Sequence, residues 1–209
     1  DIIFKMKPLL ITALLLLAAT SVNAMEINLD PRSIISSRDN SLSPELDILR
    51  VTTDISNDDQ LLFRIRNRGE AIEGNENNYY ILNILHNKHY FLVVPLNAQQ
   101  ESTVSIYEAS LDNPDLSLSQ HYSSTQEKDL TVSMSRIANG VILSVPIAWI
   151  DFSKNIGFDA YTAELIKQSD KMQVVHIYDQ AIKSKAQEKM FPAITLFNKL
   201  CAPKRIAEK

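Results

Sequence analysis

The chain has 209 residues, 45% of them hydrophobic and 22% charged, with a formal net charge of −4 and a single cysteine. A mildly acidic balance of this kind speaks against nucleic acid or an anionic membrane as a general partner, because both need clustered basic side chains. One cysteine excludes an internal disulfide framework, so the fold must rest on the apolar core that a chain of this length can bury.

In chain order, the first element is a leader. "MKPLLITALLLLAATSVNA" starts at Met6 and ends at Ala24, with Lys5 and Lys7 at its head. Residues 9–19 are apolar apart from Thr12, and Val22, Asn23 and Ala24 form the tail. This is the three-part layout of a cleaved secretory signal peptide, and the apolar run is shorter than the roughly 20 residues that a spanning helix needs. Residues 1–24 are therefore expected to be leader, with Asp1 to Lys5 upstream of the start. The product is expected to be exported, periplasmic or secreted, with no stable membrane span. The residue directly after Ala24 is Met25 and not a cysteine, so a lipid anchor is not indicated.

Residues 25–46 are Ser-rich, carry Pro31 and Pro44 and show no sustained period, which predicts an extended segment with little structure of its own. The pattern changes at Asp47. In "DILRVTTDIS", Leu49, Val51 and Ile55 alternate with Arg50, Thr52 and Asp54. In "LLFRIRNRG", Leu61, Phe63 and Ile65 alternate with Arg64, Arg66 and Arg68. Period-2 runs joined by the polar turn "NDDQ" predict a hairpin. "YYILNILHNKHYFLVVPL" predicts a second hairpin, turning at His86 to His89, and "TVSIYEAS" a further strand. "LTVSMSRIANGVILSVPI" carries Asn139-Gly140, the pair that suits the positive φ angles of a type I′ turn. "IGFDAYTAEL" and "KMQVVHIYDQ" complete eight or nine close-spaced strands with no helix between them. That order predicts a mainly β chain over 47–179: a single antiparallel β-sandwich of jelly-roll or immunoglobulin-like character. Residues 180–209 predict a helical appendage, from "AIKSKAQEKM" (181–190) and, past Pro192, "AITLFNKLCA" (193–202).

The Asp-led strand pair "DILRVTTDISNDDQLLFRIRNRGE", the hairpin strand and Val-Pro step of "NGVILSVPIAWI", and the strand "GFDAYTAEL" resemble, in that order, bacterial extracytoplasmic sandwiches. The resemblance is to the DOMON type and the related family-nine carbohydrate-binding modules, over residues 47–179. It implies a sandwich that binds a sugar or, in some members, haem. The sugar-binding members grip their ligand between exposed tryptophans. This chain has only Trp149, which reads as a core residue in the apolar stretch "VPIAWIDF", so no sugar site carries across.

The residues offer four kinds of chemistry. Arg64, Arg66 and Arg68 lie on one strand face, with Arg50 on the same face of the neighbouring strand. Such guanidiniums can hold a carboxylate, a phosphate or an acidic sugar bidentately. The aromatic faces of Tyr79, Tyr80 and Tyr122 could stack on sugar rings. Asp54, Asn57, Asp58 and Asp59 offer hard oxygen ligands for a structural calcium, or simply cap their own turn. By the resemblance, Met134 or Met172 with His176 would be the axial pair for haem. His86, His89 and His121 have spacing compatible with a metal but lack an evident third ligand of fixed geometry. Cys201 reads as a small residue on the apolar face of a terminal helix. No nucleophile–base pair, phosphate loop or zinc motif is present, so no cofactor is expected beyond a calcium or haem. The expectation is an exported, non-catalytic binding protein for a glycan or small anionic ligand. Two alternatives stand beside it: a haem-binding redox domain, and an interaction module whose tail from Ala181 to Lys209 docks on a partner protein.

Overall fold

Backbone hydrogen bonds pair the strands and alternating side chains give each sheet an apolar face, and here two antiparallel sheets pack face to face as a β-sandwich. The computed structural model describes residues 30–70, 75–97, 99–100, 103–111, 118, 120–122, 131–168, 171–183 and 189–202, with backbone alone for 120–122, 168 and 171. The leader lies outside these residues. Among them, no helix is long and apolar enough to cross a membrane.

The first sheet contains β1 (Ser33–Ile35), β2 (Ile48–Ile55), β3 (Gln60–Asn67), β8 (Ser133–Ile137) and β9 (Gly140–Pro146), in the order β1-β2-β3-β9-β8. The second contains β4 (Asn78–Leu85), β5 (His89–Pro95), β6 (Ser105–Ala109), β7 (Gln120–Tyr122), β10 (Asn155–Gln168) and β11 (Lys171–Ala181). Its order is β11-β10-β4-β5-β6-β7, and β12 (Phe191–Pro192) pairs with the start of β10. Each strand-like run of the sequence is a strand. β1, β7 and β12 are two or three residues long, too short to show a period.

Between the sheets lies the main core. Ile48, Val51, Phe63 and Ile65 of the first sheet meet Tyr80, Leu82, Leu92 and Phe158 of the second, and Phe63 and Phe158 make an edge-on ring contact at 5.5 Å. Met134 and Trp149 pack half-buried against this core, Trp149 from a 3-10 turn over Ile147–Trp149. A second apolar layer covers the outer face of the second sheet: Ile81, Phe91, Val93, Tyr107, Ala163 and Leu165, with Leu118 upon them.

Three sequence expectations are corrected. A register shift in β2 between Ile48 and Arg50 brings both Ile48 and Val51 inward, leaving Leu49 half-buried at the rim. The β8–β9 turn has Ala138 and Asn139 at its centre, and Asn139 has no positive φ. Asn139 instead reaches β3, where its amide donates to Asn67 O and its Oδ1 accepts from Arg66 Nε. Gly140 opens β9 at φ 154°, where a Cβ would stand 2.0 Å from Ile65 O. Its freedom serves both a backbone angle and a close approach. Finally, no helix starts at Ala181. This residue pairs with Ala160 to extend β11, residues 182 and 183 are not helical, and 184–188 lie outside the described residues.

The second expected helix is present as α1 (Ala193–Cys201). Ala193, Leu196 and Leu200 recur at helical spacing and enter the main core, and Phe197 meets Phe152 at 5.0 Å. α1 is thus a wall of the sandwich. Cys201 is exposed, because the core-facing stripe passes through Leu196 and Leu200 instead.

Candidate functional site

The β2–β3 hairpin sets the arginine positions. Its turn closes through Ser56, whose Oγ accepts from the N–H groups of Asp58 and Gln60, while Asp59 takes the left-handed conformation at φ 53°. From that turn the register puts Thr52 opposite Arg64 and Arg50 directly opposite Arg66. Paired residues of an antiparallel ladder share a face, so Arg50, Arg64 and Arg66 form one basic stripe on the outside of the first sheet. Arg50 and Arg64 are exposed, and their guanidiniums make no ion pair or hydrogen bond with any described residue. Arg66 is half-buried, bonded at 3.3 Å to Asn139, and across from it β9 presents the bare Gly140. Ile142, opposite Arg64, and Ile35, opposite Arg50, place aliphatic surface on either side.

Arg68 leaves the stripe. β3 ends at Asn67, and the guanidinium turns toward the N-terminal segment. Its Nε lies 2.9 Å from Asp47 Oδ2, an ion pair whose N–H is not aimed along the bond, and its Nη2 donates to Ser36 O at 3.1 Å. Two open clefts flank the arch formed by residues 36–44. One, of about 540 Å³, is lined by Arg38, Asp39, Leu42, Pro44, Asp47, Leu49 and Arg68. The other, of about 600 Å³, lies toward β1 and the end of β11, with Asp179 and Lys183 in its wall.

Asp179 ties the sheets together here, its Oδ2 accepting the Ile48 N–H at 2.7 Å. Burial holds its carboxyl above the ordinary aspartate range, and Asp47 and Asp39 push the same way against its backbone hydrogen bonds. Lys183 is buried, with Nζ 3.9 Å from the centre of the Phe191 ring. Desolvation brings it down to about 8, against the pull of Asp159 and Asp30. Neither the clefts nor these groups were legible in the sequence: Arg38, Asp47 and Asp179 belong to no site motif, and Arg68 reads there as part of the stripe.

The structure separates the remaining candidates. Tyr79 and Tyr80 are neighbours on β4 and so face opposite ways. Tyr80 is buried between the sheets with its hydroxyl pKa raised by burial, and Tyr79 packs into the outer apolar layer. The Tyr122 backbone lies in β7, and its side chain is outside the described residues, as is that of His121. Asp54 spends one oxygen on the Ile55 N–H, while Asn57, Asp58 and Asp59 are exposed on the turn. Among the described residues no group of three or more His, Cys, Asp or Glu side chains is placed to hold a metal ion.

The proposed axial pairs do not meet. Met134 packs toward the main core and Met172 into the outer layer of the other sheet. Met172 opposes Lys167 whereas His176 opposes Glu164, and the register shift between them turns the two side chains to opposite faces. His176 is exposed and meets the Tyr178 ring edge-on at 5.0 Å. Both nitrogens of the buried His86 are occupied: Nδ1 donates to Asn155 O at 2.8 Å and Nε2 accepts from the Asp151 N–H at 2.9 Å. His86 therefore clamps the ends of β4 and β10. His89 stacks on Phe91 with Nδ1 3.1 Å from Asn83 Oδ1, and burial lowers its pKa.

No family model, curated protein or solved structure matches this chain.

Proposed function

We propose that the chain is an exported, non-catalytic binding protein that holds an acidic glycan or other small anion on the stripe of Arg50, Arg64 and Arg66. The observation that carries this reading is the register: Arg50 directly opposes Arg66, with exposed Arg64 beside them and no described carboxylate bonded to any of the three. Like charges set directly across a ladder destabilise it, and a bidentate anion removes that cost. Ile35 and Ile142 supply the apolar surface on which the carbon face of a sugar would rest. The likeness to DOMON-type and family-nine modules, and export through residues 6–24, belong to the same proposal.

A thermal-shift series with glucuronate, galacturonate oligomers, sulfate and phosphate tests it. The expected result is a shift with at least one anion that disappears in Arg64→Ala/Arg66→Ala. A flat response to the whole panel would count against the stripe as a site. Mass spectrometry of the exported product, expected to begin at Met25, tests the leader.

A further inference from the structure

We infer that the arginine stripe holds a linear acidic glycan by several of its sugars at once, saturating at three uronate residues, with Arg66 as the fixed anchor; the inference rests on the stripe being the binding site.

Strand pairing lays this face of the first sheet out in rows. One row runs Ile35, Arg50, Arg66 and Gly140, and the next runs Ser33, Thr52, Arg64 and Ile142. Paired Cα atoms stand about 5 Å apart and successive rows about 7 Å apart, so the three arginines leave the backbone within about 8 Å of one another. The row after these holds Asp54 and Leu62, and in the other direction β3 ends at Asn67. The positive patch therefore stops at three charges.

Neither open cleft borders these residues, so the face is a platform and not a pocket. An anion that meets one exposed arginine there stays largely hydrated, and such a pair strengthens binding by no more than about fivefold. The freedom lost on association is lost once per molecule, so further acid groups on the same chain add their pairs without repeating that cost. The platform thus favours a polymer of repeated charge over a lone anion. Aliphatic and hydroxyl side chains stand between the arginines, Ile35 and Ile142 with Ser33 and Thr52, and they suit the CH faces and hydroxyls of sugars. A bare polyphosphate offers neither.

Arg66 differs from its neighbours. It is half-buried, its Nε donates to Asn139 Oδ1 at 3.3 Å, and Gly140 across from it leaves room for its stem. That bond restrains the side chain before a ligand arrives and leaves both Nη groups for a carboxylate. Arg50 and Arg64, exposed and without such a bond, contribute charge.

Calorimetric titration of the full chain with galacturonate and its dimer, trimer and hexamer tests this, with the fully methyl-esterified trimer and inorganic tripolyphosphate as controls. Two further pairs predict a trimer about 25-fold tighter than the monomer, with only a few-fold gain from trimer to hexamer. Both controls are expected to bind at least about fivefold more weakly than the trimer. Arg66→Lys keeps the charge and loses the fork, and should weaken the trimer by at least about fivefold, against less than about twofold for Arg64→Lys. Should Arg66→Lys fail to fold, the length series alone decides. A monomer as tight as the trimer, tripolyphosphate as tight as the trimer, or equal losses in the two lysine variants overturns this inference while the stripe stands. An ester that binds as well as the acid, or silence of every compound, overturns the stripe itself and the inference with it.

Discussion

The outer faces of the two sheets are opposites. On the first sheet the outward positions of β2, β3 and β9 include Arg50, Thr52, Arg64, Arg66 and Ser144, and water solvates them. On the second, the outward positions of β4, β5 and β10 include Ile81, Phe91, Val93, Ala163 and Leu165, each at most 2% exposed and packed with Tyr107 and Leu118 as a second apolar layer. The difference is visible as period. A strand wet on one side alternates, as "LLFRIRN" does, whereas a strand buried on both sides runs on, as "YYILNIL" and "YFLVV" do. The teaching is that a row of exposed charge on paired strands lies on the first sheet, in β2 and β3, while the middle of the second sheet spends both faces on packing.

Substitutions sharpen this contrast. The largest effect is expected between the sheets, where Phe63→Ala empties a fully buried ring site facing Phe158 and should cost about 3–5 kcal/mol in urea unfolding. Next comes the test of the contrast itself. Ile81→Ala, on the outer face of the second sheet, should cost about 2–4 kcal/mol. Leu62→Ala, half-buried on the outer face of the first, should cost under about 1 kcal/mol. Equal losses would mean that the second face is no better covered than the first.

A third effect depends on pH. Asp159 is 4% exposed, paired across to Asn83 on the covered side of β10, and burial raises its carboxyl to about 6 against the pull of Lys189 and Lys183. A carboxyl raised on folding keeps its proton longer in the native state than in the unfolded chain. Its stabilising contribution is therefore full at acid pH and is lost as pH climbs from about 4 to about 6. The loss is on the order of 1–3 kcal/mol. Asp159→Asn should flatten that part of the stability–pH curve, which urea midpoints at pH 4, 5, 6 and 7 would measure. The smallest effect is expected at the stripe. Arg64→Ala should change stability by no more than about 0.5 kcal/mol, with a slight gain at low salt if relief of repulsion outweighs lost packing.

What the strands conceal is as instructive as what they show. The hairpin of Arg50 and Arg64 could be drawn from alternation and a polar turn because both signals are local. The departure of Arg68 could not, because nothing near it in sequence announces that Asp47 lies 2.9 Å away. The same limit explains the proposed haem ligands. Met172 and His176 are four apart and would share a face on a regular strand, but the register shift next to Val175 parts them. His86 and His89 sit at one turn, yet one is fully occupied as a clamp between Asn155 and Asp151 while the other stacks on Phe91.

By itself, then, the sequence determined the class of the fold and the pairing of neighbouring strands, since inward–outward alternation and short polar turns act over a few residues. Only the tertiary structure decided that α1 is core, that Arg68 serves a cleft instead of a stripe, and that Asn139 holds Arg66. Those outcomes depend on which distant segments arrive at the same place, and no local periodicity records that.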